Sequence, residues 1–291
     1  MKCIYISGKT VKDIWLETIL EVLKNGVQIK TEYDKPEDPP SRDVTAMLEI
    51  TNPLSEPVLI KGNKTYLIKS QHGNRYLAYG HPADTLLIES IKNGYIEEML
   101  DGTNDHFIKK STKSFPYTYH DRIFNYTAFG VEDYYKGDFY EKHLLYDLPR
   151  VDQIQQIIDK LLNNPYSRRA QGITWRPYSD HLHSYPPCLQ RIWCRIIENK
   201  LVMETTWRSR DLFKAWSANV NAMIKIQELI AFKLNVEMGS YIDFSNSLHI
   251  YGKDFKVLKD VLLRIYNKDD YSYKIEGLFY DVNTLLEEQI K

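Results

Sequence analysis

The sequence predicts a single α+β domain in which helices flank a mixed β-sheet. Three observations carry that expectation. Apolar residues recur at helical spacing over 11–24, 151–162 and 221–234. Strand-like runs at 44–51, 58–69, 191–197, 200–207 and 241–251 are interspersed with those helices. No repeat, low-complexity tract or linker divides the pattern.

In order along the chain, Ile14, Leu16, Ile19, Leu20 and Leu23 mark the first helix, and Gly26 is its stop. Residues 34–43 hold Pro36, Pro39 and Pro40 among mixed charges, which predicts a surface loop with Arg42 as its only arginine. Residues 44–51 and 58–69 read as strands about the turn at Asn52 and Pro53. Residues 83–91 and 95–100 read as helices, and 102–115 as polar and irregular. Ile154, Ile157, Ile158 and Leu161 form the apolar face of a helix that ends before Asn163, Asn164 and Pro165. The strands 191–197 and 200–207 turn at Glu198 and Asn199. A long helix over 221–234 precedes a buried strand over 241–251, and a terminal helix and tail follow Lys253.

The bulk numbers exclude several classes of function. With 291 residues and 43% hydrophobic content the chain can bury a large core. Lys and Arg number 38 against 39 Asp and Glu, a formal charge of −1, so no global field recruits nucleic acid or an anionic membrane. Any anion site must be built locally. Cys3, Cys188 and Cys194 are an odd set without metal-ligand spacing, which argues against a disulfide framework or a structural zinc site and fits a reducing, cytoplasmic setting. No window approaches the roughly 18 apolar residues of a membrane span, and no export leader is visible. The 22 tyrosines are scattered and read first as packing residues.

Chemistry concentrates in the second half. Ser167-Arg168-Arg169 offers planar forks suited to phosphate, although an Arg pair alone is more often a solvated charge pair. Arg208-Ser209-Arg210-Asp211 ends an apolar strand with a density of donors that is costly to bury without an anion or acid to satisfy it. Asn219 and Asn221 stand at a predicted helix start, where an Asn either caps the helix or reads a pyrimidine edge through its amide. His249 and Tyr251 project to one face of a strand. Cys188 follows Pro186 and Pro187. It is a packing residue by ordinary odds, but a nucleophile if nearby arginines stabilise its thiolate. There is no Gly-rich phosphate loop, HExxH or nucleophile elbow.

Taken in order, Ser167-Arg168-Arg169, Trp175, Pro177, Pro187-Cys188, Arg208-Ser209 with Asp211, Asn219, and His249 with Tyr251 resemble the thymidylate synthase family. The resemblance is specific over about 117–251 and much weaker in the N-terminal third. It implies one domain over 1–291, with a divergent portion 1–115, a motif-bearing core 116–252, and a helix and tail 253–291. It also implies a homodimer built on a sheet face. The activity implied is C5 methylation of dUMP to dTMP with 5,10-methylenetetrahydrofolate, without metal, nucleic acid or membrane. Cys188 is then the thiolate that adds to C6, with Tyr119 beside it. Arg208 and Ser209 are phosphate ligands, Arg168 and Arg169 reach the partner's phosphate, and Asn219 reads the uracil edge. His249 and Tyr251 are ribose ligands, and Asp211 contacts the pterin.

The family's pattern is also broken in places. Its proton-relaying carboxylate falls on Asp84 or Glu89, and its first phosphate arginine on Arg42. His120 stands where a glycine usually follows the tyrosine, and Ala215 replaces a glycine. Residues 281–291 lack the apolar, Pro- and Val-rich terminus that closes over the folate. Without that closure, water can replace hydride, so a dUMP 5-hydroxymethylase is the alternative. A nucleotide-binding homologue without turnover, or a related pterin as the one-carbon donor, is also compatible with the sequence.

Overall fold

The computed structural model describes residues 1–54, 65–69, 75–79, 94–108, 117–127, 149–177 and 179–266. Asp84, Glu89, the helix read over 83–91 and the tail 281–291 lie outside the described residues. In chain order the strands are β1 (Cys3–Gly8), β2 (Val27–Ile29), β3 (Ser41–Ile50), β4 (Thr65–Lys69), β5 (Arg75–Tyr79), β6 (Gln171–Ile173), β7 (Leu189–Ile197), β8 (Lys200–Trp207), β9 (Arg210–Asp211) and β10 (Glu237–Ile250). The helices are α1 (Val11–Asn25), α2 (Tyr95–Asp101), α3 (Tyr119–Phe124), α4 (Gln153–Asn163), α5 (Trp216–Leu234) and α6 (Phe255–Tyr266). The chain forms two compact units. One comprises Met1–Tyr95, Ser209–Asn221 and Ser240–Lys291, the other Ile96–Arg208 and Ala222–Gly239.

In the first unit, β3 takes β1 in parallel and β2 and β10 antiparallel, while β9 lies parallel to β10. The sheet is therefore mixed, as expected. Helix α1 supplies the crossover that a parallel β1–β3 pair requires. Thr10 caps it by accepting from the Asp13 N–H, and it buries Ile14, Trp15, Ile19, Val22 and Leu23. The proline-rich stretch ends sooner than the composition suggested. Ser41, Arg42 and Asp43 already belong to β3 and pair with Ile29, Gln28 and Val27. Proline cannot donate to a ladder, so the strand starts directly after Pro40. Strand β1 was not expected. Only Ile4 and Ile6 mark its buried face, too short an alternation to read.

In the second unit, β6, β7 and β8 form an antiparallel array. Glu198 and Asn199 both carry positive φ, 50° and 60°, the backbone of the tight primed turn that suits a two-residue hairpin. Asp152 caps α4, and the Gln153 amide donates to the carbonyls of Arg122 in α3 and Ile173 in β6. One side chain thereby ties two helices to a strand. Arg122 and Asp180, both fully buried, make a bidentate pair at 2.9 and 2.8 Å.

Helix α5 starts at Trp216, five residues before the predicted position. It is buried on most sides, with the polar Asn221 and Gln227 buried beside Trp216, Val220, Ala222, Met223, Ile226 and Ile230, so its first turn carries no amphipathic signal. Asn219 and Asn221 are consequently inside the helix and cap nothing; Asn221 donates to the Ser217 carbonyl one turn back. Among the described residues no helix is long and apolar enough to cross a membrane.

Candidate active site

In the second unit Cys188 is half-buried and directly precedes β7. Its N–H and that of Leu189 both donate to the Tyr119 hydroxyl, each at 3.2 Å, and its carbonyl accepts from the Arg208 N–H at 2.9 Å. The prolines before it offer carbonyls and no donors, and Arg208 fills that need. Its Nε donates to Pro187 at 3.0 Å and its Nη2 to Pro186 at 2.7 Å. The cysteine's turn is thus held from two sides, by a phenol on α3 and by a guanidinium at the end of β8.

Tyr119 packs edge-on to Tyr117 and to Trp207, with ring centroids 5.5 and 5.8 Å away. Burial pushes its phenol well above the ordinary tyrosine value, so it remains a neutral O–H. Cys194, further along β7, is fully buried and burial pushes its thiol up as well, which makes it a packing residue. Arg168 and Arg169 are exposed beside β6, where Ser167 accepts from the Arg169 N–H and Trp193 donates to the Arg168 carbonyl.

In the first unit the strand pairing brings four of the anticipated residues together. Asp211 on β9 is registered with His249 on β10, and Arg42 on β3 lies opposite Ile250, between His249 and Tyr251. Arg42 donates to the Gly26 carbonyl at 3.0 Å. The His249 and Tyr251 rings meet edge to face at 4.6 Å. Ser247 gives its proton to Asp43, so its oxygen is left to accept from His249 Nδ1 at 3.4 Å. Nε2 of His249 is then a buried acceptor with no partner among the described residues. Burial also lowers the His249 pKa, which favours this neutral ring.

Burial raises the Asp211 carboxyl, partly offset by the Lys214 N–H that it accepts at 2.9 Å. Ser209 is half-buried. Arg210, by contrast, is committed to structure: it pairs with Asp243, a fully buried carboxylate that also accepts from Tyr241 and Ser245. Asn219 donates through Nδ2 to the hydroxyl of Tyr95 at the start of α2. Sequence reading had not singled out Tyr95, because one tyrosine among 22 carries no local signal and its partner is 124 residues away. Among the described residues no cluster of three His, Cys, Asp or Glu could hold a metal.

The second unit offers a cysteine on a rigid turn, a neutral phenol at its back and exposed arginines; the first offers an amide and a ring acceptor. The family described as "Thymidylate synthase" matches residues 105–278, more than half of the chain. A protein of Methanothermobacter marburgensis named "Putative thymidylate synthase" is 26% identical over 259 residues, covering 88% of this chain and 97% of its own. One of the same name from Methanocaldococcus jannaschii is 28% identical over 261 residues, covering 87% and 94%. With the family match running through Cys188, Arg208, Asn219 and His249, the chain belongs to the thymidylate synthase family.

Proposed function

We propose that the protein methylates dUMP at C5 to give dTMP. The observation that carries this reading is the bracing of the Cys188 turn by Tyr119 and Arg208. In this reading the Cys188 thiolate adds to C6 and turns C5 into a nucleophile. Arg208 and Ser209 bind the phosphate, with Arg42 as a further ligand and Arg168 and Arg169 reaching across to a partner subunit. Arg208 still has Nη1 for that anion, because its carbonyl contacts use Nε and Nη2. Asn219 reads the uracil edge. Nε2 of His249 accepts from the ribose 3′-hydroxyl, which the orphaned buried nitrogen supports.

5,10-Methylenetetrahydrofolate supplies the one-carbon unit and the hydride. Asp211, a largely buried carboxylate with a raised pKa, suits a polar pterin edge. Asp84 or Glu89 relays protons. A homodimer built on a sheet face is part of the proposal: Tyr5 and Met47, opposite each other on β1 and β3, are 62% and 41% exposed.

Purified protein is incubated with dUMP and the folate, and the nucleotide product is weighed by mass spectrometry. A methyl product with a rise in dihydrofolate absorbance supports the proposal. A hydroxymethyl product replaces it with the hydroxymethylase, and unchanged dUMP with no tritium release from [5-³H]dUMP removes both.

A further inference from the structure

Thr118 and His120, the chain neighbours of Tyr119, both end on one carboxylate. The Thr118 hydroxyl donates to Asp105 Oδ1, and His120 Nδ1 lies 2.6 Å from Asp105 Oδ2. A carboxylate only accepts, so the imidazole donates through Nδ1. The Thr118 oxygen also accepts from the Asp121 N–H at 3.0 Å and caps α3. On its other side the His120 ring stacks on Phe124, with centroids 4.8 Å apart and planes at 16°. It also covers Gly102, whose φ is +68° and where a Cβ would fall 2.3 Å from His120 Nδ1. The His120 and Asp105 side chains are only 18% and 25% exposed, so the bond is partly sheltered from water.

We infer that Asp105 and His120 are positioning residues for the nucleophile's turn. One carboxylate holds both residues that flank Tyr119, and the Tyr119 oxygen in turn takes the N–H groups of Cys188 and Leu189. Neither Asp105 nor His120 reaches those N–H groups itself; they act through the first turn of α3. A glycine at position 120 would have no side chain to reach Asp105. The inference rests on reading Cys188 as the nucleophile.

Two variants of the full-length protein separate the bond from the packing. His120→Phe keeps a flat ring against Phe124 and cannot bond Asp105; His120→Asn keeps an N–H near the Nδ1 position and loses the stack. In tritium release from [5-³H]dUMP, His120→Phe is expected to lose about tenfold in kcat, with KM changed by less than about twofold. His120→Asn is expected to stay within about threefold of wild type. Asp105→Ala, which leaves the stack in place, repeats the loss seen in His120→Phe, and thermal midpoints check that each variant folds. Wild-type kcat in His120→Phe, or an equal loss in His120→Phe and His120→Asn, overturns the inference. If wild type releases no tritium, the proposed function falls instead. The rate of Cys188 alkylation by iodoacetamide then decides the inference by the same comparison, and equal rates in all three proteins overturn it.

Discussion

At the scale of single residues, Tyr119 does more than accompany a cysteine. Its oxygen satisfies two backbone donors at the Cys188 turn, so Tyr119→Phe leaves both unpaired at a cost of about 1–3 kcal/mol each if they stay dry. Chemical denaturation should show the loss, and turnover of dUMP should fall with it. His249 makes a prediction about pH. Burial holds it neutral, so its contribution to stability is complete above the ordinary histidine value of about 6.5 and is lost as pH falls through its lowered folded value. Asp43 beside it works in the opposite sense, because burial raises its carboxyl and acidification relieves that cost. His249→Asn removes the first effect only. Between about pH 7 and pH 5 its thermal midpoint should therefore fall less than that of wild type. The family was legible in the sequence, since Cys188, Arg208, Asp211, Asn219 and His249 are types whose order is informative. Tyr95 and Asp105 were not, because their roles exist only through partners distant in the chain, Asn219 for one and His120 for the other.

At the scale of elements, the sequence was most readable where one face is apolar and the ends are punctuated. Helix α4 has four isoleucines and leucines on one stripe, Asp152 at its start and Asn164 at its stop, and the expected range was off by one or two residues. Helix α5 shows the converse: burial on most sides erased the periodicity of its first turn and displaced Asn219 from cap to helix interior. The β7–β8 hairpin was placed by alternation and by Asn199, but its turn also forces Glu198 to φ 50°, a conformation that glycine and asparagine adopt far more readily. Replacing Glu198-Asn199 by Asn-Gly should raise stability by about 1 kcal/mol, read as a shift in the denaturation midpoint at unchanged slope.

At the scale of the whole molecule, Arg168 and Arg169 are exposed, and the proposed function has them reach the phosphate bound by a second copy. Mixing two inactive proteins, Cys188→Ala and Arg168→Ala/Arg169→Ala, should then restore dTMP formation, because the mixed dimer assembles one site with the intact cysteine and the intact arginines. No recovery after subunit exchange, with dimers verified by sedimentation, would place those arginines outside the site. Met47→Lys should weaken the proposed dimer, whose sheet face includes the exposed Met47 beside Tyr5. The turn before Cys188 offers a way to watch this region with no substrate present. Pro186 and Pro187 have no amide hydrogen, so a peptide spanning 186–189 carries only the backbone hydrogens of Cys188 and Leu189 that can trade with solvent deuterium. Both end on one phenol oxygen. Slow uptake in that peptide, and rapid uptake in Tyr119→Phe, would make two hydrogens the gauge of whether the cysteine's turn is set.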